Sequence, residues 1–390
     1  MIKKSIIAHG ILSLALCYIL WPWFLEKKLL FNELLSAIGL FLLIYKRFRI
    51  GNDTISLCML FLLLWGIHAV VSLLRMDTFY FYLRNMVIVY SMMCFFIGFY
   101  CYKYLSSFLT KTRPTLRKLS LLIFIPLPRL LLERFNMTVV FPALFGKANK
   151  RWVPLLLLVL TTIYGFVYDA FTTLVLTGFY LFLFVSPGYK FFKQTVLTGL
   201  LGFTIIFIYL QPYLAIITHN FDPHSYNAIF NVMKSHPILA LDGNSTWRLI
   251  LWKQVIVDNF PGNLFGYGFG TPLIHYYPVE DFSKLSTLPY IIGAHNSFVY
   301  LFGRLGIVYA ILIVLIYRTI FREYFYYKSY YYSNNEIFVF WSFFATTVIA
   351  LFNPVLESPI YSGGYWLLLG LVAKVISNRT HLSFKAYANP

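Results

Sequence analysis

Apolar runs of about membrane length recur along the whole 390-residue chain, separated by short polar stretches rich in Lys and Arg. Runs that long with so few charges predict transmembrane helices. The pattern places spans at about 5–24, 29–45, 54–74, 83–102, 118–134, 136–147, 152–168, 170–186, 194–217, 296–317, 337–352 and 360–377. Twelve crossings put both termini on one side and leave one long hydrophilic connection, residues 218–295. That connection holds Trp247, Trp252, Phe260, Phe265 and Phe269, enough aromatic surface to predict a folded loop with short helices. The expected division is therefore an N-terminal bundle of about nine spans over 1–217, the loop over 218–295, and a bundle of about three spans with a tail over 296–390. The run Ile6–Leu20 after Lys3-Lys4 imitates a signal peptide but lacks a small-residue cleavage site, so it is expected to be kept as the first span.

Composition changes little in this picture and removes the competing ones. With 59% hydrophobic and only 12% charged residues, the chain is neither an ordinary water-soluble enzyme nor disordered. Its net charge of +18 would suggest nucleic acid in a soluble protein, but in a membrane protein it is first a matter of orientation. With the N-terminus inside, 21 of the 32 basic residues fall on the cytoplasmic side. The short segment 136–147 contains Pro142, and if it did not cross, that tally would fall to 15 against 17. The rule that cytoplasmic loops are basic thus favours twelve spans. Cys17, Cys58, Cys94 and Cys101 all sit in apolar runs with no CxxC pair, which argues against a disulfide framework or a zinc site. No internal repeat is visible, which weakens a transporter reading.

Candidate chemistry gathers on the expected outer side. Asn244-Ser245-Thr246-Trp247-Arg248 opens a helical pattern running to Ile256, with Asn244 or Ser245 as cap and Arg248 one turn before Trp252. Next come the alternating glycines of Gly266-Tyr267-Gly268-Phe269-Gly270, which either let backbone N–H groups approach an anion or permit a tight turn. At the loop's end Gly293-Ala294-His295-Asn296-Ser297 leads into the next span, and Gly303-Arg304-Leu305-Gly306 follows within it. His295 is either a hydrogen-bonded structural residue or a proton acceptor near neutral pH. Arg304, deep in an apolar run, should face a polar cavity. Arg84 and Arg129 either snorkel to headgroups or join Arg134, Arg248 and Arg304 as guanidinium groups suited to a diphosphate. Glu280 and Asp281 are adjacent and would point apart, and no His, Asp or Glu cluster has metal-ligand spacing, so a metal-free mechanism is the simpler expectation.

The order Arg248–x3–Trp252, Asn259-Phe260-Pro261-Gly262, Gly266-Tyr267-Gly268, His295-Asn296 and Gly303–Gly306 resembles the O-antigen ligase and O-antigen polymerase superfamily, polytopic glycosyltransferases of the bacterial inner membrane. The match covers about 245–310 at motif level, and the span plan extends it over the chain. The resemblance implies an all-α polytopic membrane protein of about 12 transmembrane helices with one large periplasmic loop, a GT-C-like architecture. It implies transfer of a glycan from undecaprenyl diphosphate to an acceptor hydroxyl at the periplasmic face, without cofactor, nucleotide or metal. The acceptor would be another glycan for a surface-polysaccharide polymerase or lipid A core for a ligase; a third group of the superfamily glycosylates protein. The aromatic-rich body and Phe302-Gly303-Arg304-Leu305-Gly306 lean towards the polymerase. By place in the motif, Arg248 would grip the donor and His295 would be the general base. Arg84, Arg129 and Arg304 are added donor-binding candidates from charge placement, and Gly266, Gly268 and Asn296 would shape the loop. The expected partners are the lipid-linked donor, the acceptor, the bilayer and other polysaccharide-assembly proteins, with no nucleic acid. A Ser-Arg pair common in the superfamily is replaced here by Tyr168-Asp169-Ala170-Phe171. The reading from another class is a lipid-linked polysaccharide flippase, which would also want outward arginines.

Overall fold

The computed structural model describes residues 30–46, 53–77, 79–122, 171–185, 188–219, 243–273, 293–327 and 332–388, with residues 10, 159 and 162–163 besides. Among the described residues every regular element is helical. In chain order these are α1 (Phe31–Lys46), α2 (Asp53–Ser72), α3 (Phe79–Tyr90), a 3₁₀ turn (Ser91–Met93), α4 (Cys94–Leu122), α5 (Phe171–Val185) and α6 (Tyr189–His219). Then follow α7 (Gly243–Lys253), a π turn (Gln254–Asp258), α8 (Gly262–Phe265), α9 (Ser297–Tyr327), α10 (Asn334–Ala350) and α11 (Ser362–Ala388). Three stretches among the described residues are long and apolar enough to cross a membrane: Phe79–Tyr104, Tyr189–Leu214 and Ser297–Tyr326. Ser56–Ser72 and Val175–Phe184 are apolar but shorter. The expected spans 5–24, 118–134, 136–147 and 152–168 lie wholly or largely outside the described residues, as does Arg129.

Packing divides the chain into two compact units built from interleaved stretches. One comprises Met1–Leu63, Val87–Tyr189 and Val314–Pro390, the other Leu64–Met86 and Lys190–Ile313.

In the first unit, α4 and α11 approach so closely that their backbones touch. A β-carbon at Gly98 would stand 2.9 Å from the Leu371 nitrogen, and one at Gly370 would stand 3.0 Å from the Phe99 nitrogen. Small residues at such crossings are how apolar helices gain packing energy where burial from water supplies none. Helix α10 lies inside the unit, with every residue from Ile337 to Val348 buried. A helix apolar all round belongs in an interior. Its start is fixed by a capping box, the Glu336 N–H reaching Ser333 Oγ at 3.3 Å and the Ser333 N–H reaching Glu336 Oε2 at 2.7 Å.

Several polar groups buried in this unit are joined in small networks. Asn32 donates to Ser91 Oγ at 2.7 Å, and Ser362 donates to the same oxygen at 2.7 Å. Ser91 in turn donates to the Val87 carbonyl at 2.5 Å. Around α10, Trp341 donates to Tyr324 at 2.6 Å, and the Tyr317 hydroxyl lies 2.6 Å from that of Tyr365. Gly370→Leu is expected to cost about 1–3 kcal/mol through overpacking, seen as a lower unfolding midpoint in detergent. Gly178→Leu, on a face with nothing within 4 Å, should leave that midpoint unchanged.

Candidate functional site

The motif residues of the sequence meet in the second unit. Helix α7 begins at Gly243, so Asn244 and Ser245 stand in its first turn and not ahead of it. It buries Thr246, Ile250 and Leu251 and ends at Lys253, short of the expected Ile256. There the ladder widens into a π turn, closed by the Asn259 N–H on the Gln254 carbonyl at 3.1 Å. Three side chains stabilise the widening. Asn263 Nδ2 takes the carbonyls of Val255 and Ile256 at 2.8 and 2.9 Å, and Lys253 pairs with Asp258 at 2.5 Å. The π turn brings positions five apart onto one face, which is the separation of that ion pair.

Helix α7 is tied to the start of α9 through Trp252. Its indole N–H donates to the Ala294 carbonyl at 2.8 Å, while its ring packs against Phe203 of α6 at 5.9 Å. Arg248, one turn earlier on the same face, is half-buried and close enough to His295 to act on it electrostatically. His295 itself is half-buried and has a left-handed backbone, with φ of 49°. A non-glycine residue held there costs on the order of 1–3 kcal/mol, and such strain collects at functional positions. Its two neighbours hold it in place: Ala294 through Trp252, and Asn296 by capping α9. Asn296 Oδ1 accepts from the N–H groups of Phe298 and Val299 at 3.0 and 3.1 Å. Burial, and after it the Arg248 charge, push the His295 pKa down from its ordinary 6.5 to about 4. The ring is therefore neutral at physiological pH, with a nitrogen lone pair able to accept a proton.

The glycine segment has a different role from an anion cradle. Gly306 interrupts α9 with φ of 77° and ψ of −168°, which removes the regular partners of the Gly303 and Arg304 carbonyls. The Tyr267 and Gly268 N–H groups take those carbonyls, both at 2.9 Å. The Phe269 N–H goes to Ser72 Oγ at 2.8 Å and the Gly270 N–H to Asn85 Oδ1 at 3.1 Å. Four successive N–H groups are thus donated to the protein itself, and the segment is a docked turn. Gly266, with φ of 83°, lies against the Arg304–Leu305 backbone, and a β-carbon there would be 2.8 Å from the Leu305 carbonyl carbon.

Arg304 completes the dock. It is buried, and its guanidinium donates to the Gly268 carbonyl at 3.0 Å, the Thr271 carbonyl and the Tyr300 hydroxyl at 2.8 Å. It also lies over the Tyr300 ring at 4.8 Å. The structure thus brings Arg248 to His295 and Asn296, and Gly266 and Gly268 to Arg304. Arg84 is exposed on α3 and joins neither group; its neighbour Asn85 is the buried one. Ser72, Asn85, Thr271 and Tyr300 are the site residues that sequence reasoning passed over. Of these only Tyr300 carried a local signal, standing one helical turn before Arg304.

Arg304→Leu should destabilise the protein by about 2 kcal/mol or more, because one buried and one part-buried carbonyl lose their donor at roughly 1–3 kcal/mol each. Thermal unfolding and proteolysis across 266–273 would show it. For His295 the folded pKa lies below the unfolded one. Its protonation therefore erodes stability as pH falls from 6.5 towards about 4, and it contributes nothing above 6.5. Peptide-resolved acylation of His295 by diethyl pyrocarbonate should accordingly lose half its rate near pH 4. Arg248→Gln should move that midpoint upward without reaching 6.5, since burial is the larger cause. Comparison with protein-family models, with curated proteins and with solved structures finds no match to this chain.

Proposed function

We propose that this protein is a metal-independent glycosyltransferase of the bacterial inner membrane, of the O-antigen ligase and polymerase type, acting at the periplasmic face. The observation that carries the reading is the neutral, half-buried His295, fixed in a strained backbone beside Arg248 at the head of an apolar helix. A proton acceptor next to a guanidinium is the pair that transfer from a lipid diphosphate needs. The acceptor hydroxyl gives its proton to His295 as its oxygen attacks the donor's anomeric carbon. The bond from that carbon to the diphosphate oxygen breaks, and undecaprenyl diphosphate leaves with its charge offset by Arg248. A diphosphate is a good leaving group, so positioning and proton removal carry most of the work. Arg304, engaged with loop carbonyls, holds the turn beneath this pair, and Arg84 remains an outer-side candidate for contact with headgroups or donor. The lean towards polymerisation of repeat units over ligation to lipid A core rests on the sequence resemblance.

Purified protein with an undecaprenyl-diphosphate oligosaccharide, with and without lipid A core, tests the reading. A ladder of products without core is the expected result, a single addition to core would make it a ligase, and no product with either would favour a flippase. His295→Ala should lower transfer by about 10²–10⁴-fold, the usual contribution of a general base, with donor binding largely kept. Arg248→Ala should weaken donor binding, read directly as affinity for the diphosphate lipid. Normal turnover by the histidine variant would remove the proposed base.

A further inference from the structure

The turn that docks on α9 carries large side chains that stand exposed among the described residues. Phe260 is 63% exposed and Phe265 80%, and Val257 and Tyr267 beside them are exposed as well. The segment is nonetheless braced by its own hydrogen bonds. Tyr267 folds back so that its hydroxyl donates to the Asn259 carbonyl at 3.1 Å, the Gly266 N–H bonds the Gly262 carbonyl at 3.2 Å, and Asn263 bonds the π turn. Two phenylalanines held outward on a fixed knob differ from singly scattered exposed residues, and they mark an interaction surface.

The height of this knob along the apolar helix shows what covers it. Tyr267 and Gly268 bond the carbonyls of Gly303 and Arg304, six and seven residues into a helix that begins at Ser297. At 1.5 Å per residue that is roughly 9–10 Å along the axis from the helix start. The knob therefore lies beside a stretch apolar enough to cross a membrane, whose outward residues Ile307, Val308 and Ile311 are also exposed. A turn from an earlier part of the chain, docked on Gly270, repeats the pattern. Asp77 donates its N–H to the Gly270 carbonyl, and around that contact Leu74 is 88% exposed, with Phe79 and Tyr80 exposed too. Arg75, Asp77 and Arg84 are the exposed charges of that region, and Asp258, paired with Lys253, is the exposed charge on the knob itself. Leucine and aromatic rings interleaved with a few charges form the collar found where a protein meets the membrane–water boundary. Irregular backbone survives at such a depth only when its polar groups are satisfied by protein, and the N–H groups of 267 to 270 all are.

We infer that residues 257–267 form a re-entrant knob that inserts Phe260 and Phe265 into the lipid at the bilayer boundary. The occupant of this surface is the bilayer itself, and the inference rests on the apolar helix rather than on glycan transfer. The test is a nitroxide attached at Phe260→Cys and, separately, at Phe265→Cys in protein reconstituted into phosphatidylethanolamine–phosphatidylglycerol vesicles. The background carries Cys17→Ser, since Cys58, Cys94 and Cys101 are buried. Collision with oxygen reports lipid, and collision with a water-soluble nickel chelate reports water. Ile311→Cys, exposed on the span, and Lys190→Cys, exposed at the start of α6, set the two limits. The expected result is an oxygen-to-nickel ratio at both phenylalanine positions shifted from the Lys190 value to that of Ile311. A ratio at the Lys190 value overturns the inference. So does low collision with both reagents, which would mean that a protein partner or a second copy covers the knob. Because Ile311 must itself report lipid, a chain that is not in the membrane is recognised separately, and loss of transferase activity does not enter the readout.

Discussion

The second unit depends on one interrupted ladder. At Gly306 helix α9 stops being helical for a single residue, and the carbonyls of Gly303 and Arg304 lose their partners inside an apolar stretch. In such surroundings each unsatisfied group costs several kcal/mol, so the break persists only if other donors arrive with the right spacing. The consecutive N–H groups of Tyr267 and Gly268 supply that spacing, and the donation is returned when the Arg304 guanidinium reaches the Gly268 carbonyl. Gly266 has to be a glycine for this approach, because a side chain there would stand in the Arg304–Leu305 backbone. Ser72 and Asn85 then take the next two donors. The helix break and the docked turn are each unfavourable alone and stable together.

This arrangement also explains how a strained histidine can be held at the head of the same helix. His295 lies between two anchored residues, Ala294 bonded by Trp252 and Asn296 bonded into the first turn of α9. Trp252 belongs to α7, whose far end is fixed by Asn263 and by the docked turn that follows. The left-handed φ is thus over-determined from both sides, which is the condition for keeping backbone strain at a working position. Arg248 rides on the same helix as Trp252, so its place beside His295 is set by the indole bond and by helical spacing. A half-buried imidazole beside a guanidinium stays unprotonated, and an anion bound to that guanidinium would relieve the smaller part of the pressure that keeps it so.

Much of the helical plan was legible because apolar periodicity is local. The expected spans 29–45, 54–74, 194–217, 296–317, 337–352 and 360–377 each overlap an observed helix. Boundaries fared less well. Helix α4 runs on to Leu122 through residues 103–117 and over Pro114, the polar stretch left between two expected spans. A helix already fixed in an apolar bundle extends at little cost into polar sequence, since nucleation has been met elsewhere. The sequence left the glycine segment between an anion cradle and a turn, because the deciding acceptors are far away. Ser72 and Asn85 stand 197 and 185 positions from the N–H groups they receive. Nor could periodicity reveal that Leu64–Met86 packs with Lys190–Ile313 in one unit.

The arginines that the sequence pattern placed on one expected side as a diphosphate-binding set separate physically into different kinds. Arg84 is exposed, Arg248 is half-buried against His295, and Arg304 is buried and hydrogen-bonded to carbonyls. A shared sign of charge therefore did not mean a shared task. Yet Arg304 does more than close a turn. Carbonyls and the Tyr300 hydroxyl take its two terminal nitrogens, while its buried Nε has no partner and no carboxylate pairs with it among the described residues, so its full positive charge remains. In a medium of low dielectric constant that charge acts over a longer range than one in water. An arginine that cannot reach a ligand with its own N–H groups still raises the positive potential of the unit that holds Arg248 and His295. The structural and the electrostatic uses of one guanidinium are then compatible, because hydrogen bonds occupy its terminal nitrogens and leave its field.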